Sequence, residues 1–131
     1  MSKSGCPFER AILTSAFSCQ HAEKYLIAFR EGLYCEHQIA FLNCEKFSSH
    51  LRENARFALQ LPENNDDIPH GKDLKLKCGG LQALKEQLNS TKIDVHDLVI
   101  EAIEQYEQLE KLPYSEMLPT IQHYKTRKKR T

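Results

Sequence analysis

A long helix is predicted by EHQIAFLNCEKFSSHLRENARFALQL, residues 36–61. Its small and apolar positions recur every three or four residues, which is the spacing of one face of an α-helix. These positions are Ala40, Cys44, Phe47, Leu51, Ala55 and Ala58. Pro62 follows the stretch and disfavours helical backbone at the residue before it, so we expect the helix to end there.

The preceding segment is also predicted to be helical, from about residue 8 to residue 30. Pro7 suits the first turn of a helix, and Gly32 follows as a stop signal. The apolar positions recur at helical spacings: Phe8, Ile12, Ala16, Cys19, Leu26 and Phe29. Joined by a short link at residues 33–35, the two helices would form a long antiparallel helical hairpin. We therefore expect an all-α fold, a small helical bundle.

The middle of the chain shows weaker signals. Residues 62–72 have the composition of a loop and are the one plausible internal linker. Residues 74–78 alternate with period two, but a strand without a partner is unstable, so we interpret them as an extended connector. Gly79-Gly80 then breaks the chain before a short helix, at about residues 81–88.

A C-terminal amphipathic helix is the clearest of all. Asp94 is a good N-cap residue, with Asp97 three positions on. A continuous apolar stripe follows: Val95, Leu98, Val99, Ala102, Ile103, Tyr106 and Leu109. We expect Pro113 to stop this helix, and Pro119 to interrupt the apolar remainder.

The composition predicts one domain that is soluble. A length of 131 residues fits a single domain. The chain is 40% hydrophobic and 27% charged, and no run approaches the ~18 apolar residues of a membrane helix. The first residues lack the apolar core of a secretory signal, so we expect a cytoplasmic protein. Structural disulfides are rare in such a reducing compartment, and an odd number of cysteines cannot all pair.

Charge is unevenly distributed along the chain. Residues 120–131 hold five of the 18 basic residues and none of the 18 acidic ones. Residues 1–119 therefore contain 13 basic and 18 acidic residues. We therefore divide the chain into a helical domain, residues 1–119, and a basic C-terminal tail, residues 120–131. Such a tail could make weak, salt-sensitive contacts with nucleic acid or another anionic partner.

Five cysteines carry the strongest chemical signal. They lie at positions 6, 19, 35, 44 and 78, with 12, 15, 8 and 33 residues between them. In the predicted hairpin Cys19 and Cys44 face each other, and Cys35 lies in the link between the helices. Cys78 precedes the two glycines that let the chain turn. We therefore predict a metal centre held by Cys19, Cys35, Cys44 and Cys78, with Cys6 as the alternative ligand.

The preferred cofactor for this centre is a [4Fe-4S] cluster, which usually takes four cysteines. Structural zinc sites usually contain close C-x-x-C pairs, and this chain has none, so zinc is the less favoured alternative. The absence of C-x-x-C also weakens a thioredoxin-like interpretation. His21 and His37 each lie two residues after a cysteine, so either could hydrogen-bond to a ligating sulfur.

Other chemistries find little support. The chain has no Glu-x-x-His pair for a carboxylate-bridged iron site, no phosphate-binding loop and no local signature of Ser/His/Asp catalysis. We therefore do not expect an enzyme. The expected function is electron transfer or redox sensing, with a redox partner protein.

A second interpretation stays open. Cysteine is among the residues most often buried, so the five thiols could simply pack in a reduced core. The chain would then bind no cofactor and act as a non-catalytic helical protein-interaction module.

Overall fold

The computed structural model describes residues 4–14, 16–28, 30–61 and 68–125. Helices dominate these residues, and a small antiparallel sheet lies near the N-terminus. None of the described helices combines the length and the apolar character needed to cross a membrane. In chain order the elements are β1 (Ser4–Gly5), α1 (Glu9–Leu13), β2 (Ala22–Ile27), β3 (Arg30–Cys35), α2 (Gln38–Leu59), α3 (His70–Leu88), α4 (Val95–Tyr106), a 3₁₀ helix (Leu109–Lys111) and α5 (Tyr114–His123).

The predicted helix over residues 8–30 is wrong. Only Glu9–Leu13 is helical there, and after a loop the chain forms an antiparallel hairpin of β2 and β3. Tyr25, Ile27 and Tyr34 are residue types that favour strands, and β1 adds a further strand beside β3. The expected helical hairpin is therefore replaced by a short helix, a β-hairpin and α2.

Gly32 has a different role from the helix stop that the sequence suggested. It lies opposite Tyr25 in the hairpin, and a Cβ atom at Gly32 would stand 2.3 Å from Cζ of that tyrosine. The Tyr25 ring also stacks on Tyr34, with their centroids 6.2 Å apart. The glycine therefore makes room for an aromatic ring that lies across the neighbouring strand.

Helix α2 confirms the prediction from its apolar face. It spans Gln38–Leu59, and its buried residues are Ala40, Cys44, Phe47, Leu51, Ala55 and Leu59. His37 caps its start, because the backbone N–H of Ala40 donates to Nδ1 of His37 over 3.1 Å. The predicted stripe therefore faces the core, although Leu59 rather than Ala58 ends it.

Helix α3 contradicts the predicted extended connector and the break at the two glycines. It runs from His70 to Leu88 without interruption, whereas residues 62–67 of the predicted linker lie outside the described residues. A Cβ at Gly79 would lie 2.9 Å from Cα of Ile121 in α5, and one at Gly80 would lie 2.5 Å from Cδ1 of Leu51 in α2. The glycines therefore allow α3 to approach its neighbours closely.

The C-terminal part agrees with the prediction at its start. Asp94 caps α4 by accepting a hydrogen bond from the backbone N–H of Asp97 over 3.0 Å. Helix α4 ends at Tyr106, before the 3₁₀ helix, and Pro113 precedes a further helix that was not predicted. This last helix, α5, contains Pro119 and runs through Thr120 to His123. Residues 126–131 of the predicted basic tail lie outside the described residues.

An ion-pair network centred on the buried Asp73 fixes α1 against α3. Asp73 is the one buried charged residue in the described part of the chain, and its carboxylate contacts Arg10 at 2.7 Å and Lys77 at 3.1 Å. Phe8, just before α1, is fully buried and stacks on Phe47 of α2 at 5.7 Å. These contacts hold the segment that follows Cys6 in one position.

Candidate metal centre

Four cysteines reach one region of the molecule from four different elements. Cys6 directly follows β1, Cys19 lies in the loop between α1 and β2, Cys35 ends β3, and Cys44 lies on the buried face of α2. The backbone N–H of Cys6 donates to the carbonyl of Leu33 over 3.1 Å, which ties the first cysteine to the strand that carries the third. We call Cys6, Cys19, Cys35 and Cys44 the cysteine site.

The loop that carries Cys19 is fastened to the start of α4. The backbone N–H of Val95 donates to the carbonyl of Ser18 over 2.7 Å. On the other side of Cys19, the backbone N–H of Gln20 donates to Oδ1 of Asp94, also over 2.7 Å. A residue far along the sequence therefore sets the position of the second cysteine.

The four cysteines lie close enough for the charge of one to shift the pKa of another. A negative charge on Cys19 or Cys35 raises the pKa of Cys6, and Cys35 does the same to Cys19. The pKa of Cys44 is raised by negative charge on any of the other three cysteines. Each of the six possible pairs therefore interacts. The described residues contain no group of three or more His, Cys, Asp or Glu side chains arranged to hold a single metal ion.

Backbone N–H groups point at two of the sulfurs. The N–H of Phe8 donates to Sγ of Cys6, and the N–H groups of His21 and His96 both donate to Sγ of Cys19. His96 lies in the first turn of α4, so the positive end of that helix dipole is directed at a sulfur. Each of these interactions favours a thiolate over a thiol.

Burial opposes ionisation in the absence of a cation. It raises the pKa of Cys6 to about 12, with smaller contributions from the charges of Cys19 and Cys35. It also raises the pKa of Cys19 and, more strongly, that of Cys44. These three groups are therefore thiols at neutral pH, and a metal that binds them must displace their protons.

Cys78, one of the four predicted ligands, lies elsewhere. It is buried in α3, where the hydroxyl groups of Thr14 and Tyr124 hydrogen-bond to it. Burial raises its pKa, and the charges that act on it come from Asp73 and Lys77 rather than from another cysteine. The structure thus brings together three of the predicted ligands and adds Cys6, the residue predicted as their alternative.

Three histidines form one wall beside the cysteine site. The ring of His21 lies 4.7 Å from that of His37 and 4.6 Å from that of His96, measured between centroids. The first two were predicted as neighbours of the sulfurs from their sequence spacing. His96 was missed, because nothing in the sequence around it indicates contact with a cysteine in the first third of the chain.

His96 differs from the other two in its electrostatic environment. Burial lowers its pKa, and the proximity of His21 lowers it further, so the imidazole is neutral at pH 7. Its Nδ1 atom is buried and has no hydrogen-bond partner among the described residues. In His37 the corresponding atom accepts the N–H of Ala40.

Comparison with known proteins adds no identification. No family model matches the chain, and no curated protein or solved structure shows significant similarity to it. The function must therefore be inferred from the site itself.

Proposed function

We propose that the cysteine site binds a [4Fe-4S] cluster and that the protein acts in electron transfer or redox sensing. The observation that carries this proposal is the mutual interaction of Cys6, Cys19, Cys35 and Cys44 in all six pairs. Four thiolates are the usual protein ligands of such a cluster. When bound, the cluster would supply a one-electron redox centre.

The surroundings of the four cysteines suit an anionic centre. The N–H groups of Phe8, His21 and His96 supply hydrogen bonds to thiolate sulfur. Cys44 contributes its sulfur from the buried face of α2, and Phe47, one turn further on, is fully buried. Hydrogen bonds to sulfur and limited access of water are both features that set the potential of iron-sulfur centres.

A single zinc ion is the main alternative occupant. Four thiolates also suit zinc, but structural zinc sites mostly use closely spaced cysteine pairs, and the shortest spacing here has eight intervening residues. A single ion requires all four sulfurs to meet at one point, whereas a cubane binds each thiolate through a separate iron. The described residues show no convergence on one ion, which does not favour zinc.

A serine scan tests the ligand set. Each of the four cysteines of the site is changed to serine in turn, and Cys78→Ser serves as the control because Cys78 is a free cysteine, buried like Cys44, that lies outside the site. The proteins are purified without oxygen, and their iron, sulfide and zinc contents and visible spectra are compared. We expect iron and sulfide to fall sharply in the four site variants and to stay at the wild-type level in Cys78→Ser.

Two results would contradict the proposal. Full retention of iron and sulfide in a site variant such as Cys6→Ser would remove that residue from the ligand set. Wild-type protein that is folded but lacks both iron and sulfide would show that the chain does not bind the proposed cluster. Stoichiometric zinc in that protein would support the alternative metal, and a metal-free protein would support the interaction module.

The proposed redox role requires a partner that supplies or accepts electrons, and we propose that this is another protein. Contact with nucleic acid or another anionic partner through the basic tail also stays a proposal, because four of its five basic residues lie outside the described part of the chain. Such a contact should weaken steeply as salt concentration rises.

A further inference from the structure

His96 contacts the cysteine site through its backbone, and its side chain carries a buried polar atom without a partner among the described residues. Its backbone N–H donates to Sγ of Cys19. Its ring nitrogen Nδ1 is buried and has no hydrogen-bond partner within the described residues. Nearly all buried polar atoms in folded proteins are hydrogen-bonded, and leaving one without a partner destabilises the fold. The isolated nitrogen therefore calls for an explanation.

The position of the ring indicates where the missing partner would lie. Nδ1 is the ring nitrogen nearer to the residue's own backbone, and that backbone already reaches the sulfur of Cys19. The ring is also held in place, because it packs edge-on against His21 with an interplanar angle of 80°. Nδ1 is thus shielded from solvent and belongs to a residue whose backbone contacts Cys19, so a group bound at Cys19 is the partner that we consider for it.

The neighbouring histidines do not share this property. Nδ1 of His37 is already occupied as the acceptor that caps α2. His21 has no isolated buried ring nitrogen, and its contribution to Cys19 comes from the backbone N–H. Within the histidine wall, His96 is therefore the residue with a ring nitrogen that is both buried and without a partner among the described residues.

We infer that the Nδ1–H group of His96 donates a hydrogen bond to a sulfur atom of the bound cluster, either the Cys19 thiolate or an inorganic sulfide. This inference rests on the proposed function, because it requires the cluster. A hydrogen bond to sulfur stabilises the more negative, reduced state, so His96 would raise the reduction potential of the centre. The ring is neutral at neutral pH, and the donated bond therefore needs no imidazolium.

The test compares two substitutions that differ in one hydrogen-bond donor. His96→Phe keeps a flat ring and removes the donor, whereas His96→Asn places an amide N–H near the position of Nδ1. Midpoint potentials are measured on anaerobically loaded protein by redox titration, and iron-sulfur stretching frequencies by resonance Raman spectroscopy. We expect a more negative midpoint and shifted stretching bands in His96→Phe, with values near those of the wild type in His96→Asn.

A matched control and a substitute variant keep the test decisive. His123→Phe, at an exposed position in α5, should leave both measurements unchanged. If His96→Phe cannot be loaded with the cluster, His96→Ala is measured instead and must show the same negative shift of the midpoint potential. The role of His96 would be overturned, with the proposed function intact, by either of two results. One is an unchanged midpoint potential in a loaded His96→Phe or His96→Ala protein, and the other is an equal shift of the midpoint potential in that protein and in His96→Asn. Wild-type protein without iron and sulfide would instead overturn the proposed function.

Discussion

The backbone N–H of His96 donates a hydrogen bond to the sulfur of Cys19, which joins the first turn of α4 to the loop between α1 and β2. Asp94 strengthens this connection, since its carboxylate accepts hydrogen bonds from both the backbone and the side chain of Gln20. The start of α4 therefore serves as an anchor for the metal site as well as part of the helical core.

Replacing Asp94 tests this anchoring role. Asp94→Ala removes the N-cap of α4 and both hydrogen bonds to Gln20. We expect the free energy of unfolding to fall by about 1–2 kcal/mol and the iron content to fall with it, because Cys19 loses its restraint. Urea unfolding and iron analysis measure the two effects. Asp94→Asn, which can still cap the helix, should be milder in both. A destabilised alanine variant with full iron content would show that α4 does not organise the site.

The helices that could be predicted are those whose apolar face lies within one continuous segment. Helices α2 and α4 each show a long stripe at helical spacing, with a cap at the start, so local sequence was sufficient. The segment over residues 8–30 shows a similar spacing, but there strand pairing overrides it. The pairing of β1 with β3 joins Ser4 to Cys35, far apart in sequence, and the β2–β3 hairpin is local but places its apolar residues at spacings that also fit a helix.

The error in the fold explains why the proposed ligand set differs from the predicted one. A straight helix over residues 8–30 would hold Cys6 far from the other cysteines, so the sequence predicts Cys6 only as an alternative ligand. The short α1 and the loop after it bring Cys6 close to Cys19 instead. The sequence predicts a flexible turn at Gly79-Gly80 that would bring Cys78 to the others, whereas these glycines lie inside α3.

The glycines of α3 give a prediction about packing. A methyl group at Gly79 would meet the backbone of Ile121 in α5, so Gly79→Ala must displace a whole helix. We expect the free energy of unfolding to fall by about 1–3 kcal/mol, as in other overpacked cores. Gly71→Ala is the matched control, because a Cβ there meets nothing within 4 Å. In the first turn of the same helix it should be neutral or stabilising by up to about 1 kcal/mol. Equal effects of the two changes in urea unfolding would contradict this packing role.

Tyr114 gives a prediction about pH. Its buried hydroxyl donates to the carbonyl of Leu109 over 2.7 Å, and burial raises the pKa of Tyr114. Because the pKa is higher in the folded state, the hydroxyl contributes to stability below the unfolded pKa of about 10, and this contribution is lost as pH rises further. Tyr114→Phe should cost about 0.5–1.5 kcal/mol at pH 7.

The difference between the wild type and Tyr114→Phe should then shrink as the pH rises above about 10. Denaturant unfolding of both proteins at neutral and alkaline pH measures it. Tyr106→Phe is a suitable control, since this tyrosine is only half-buried at the end of α4. A difference that stays constant across the alkaline range would show that ionisation of Tyr114 is not linked to folding.

The most direct test of a shared centre at Cys6, Cys19, Cys35 and Cys44 is native mass spectrometry of the wild-type protein, purified and sprayed without oxygen. We predict a chain that carries one [4Fe-4S] cluster, about four iron and four sulfide per protein molecule. A folded chain with the mass of the unmodified polypeptide, or with a single zinc ion, would contradict the proposed cluster.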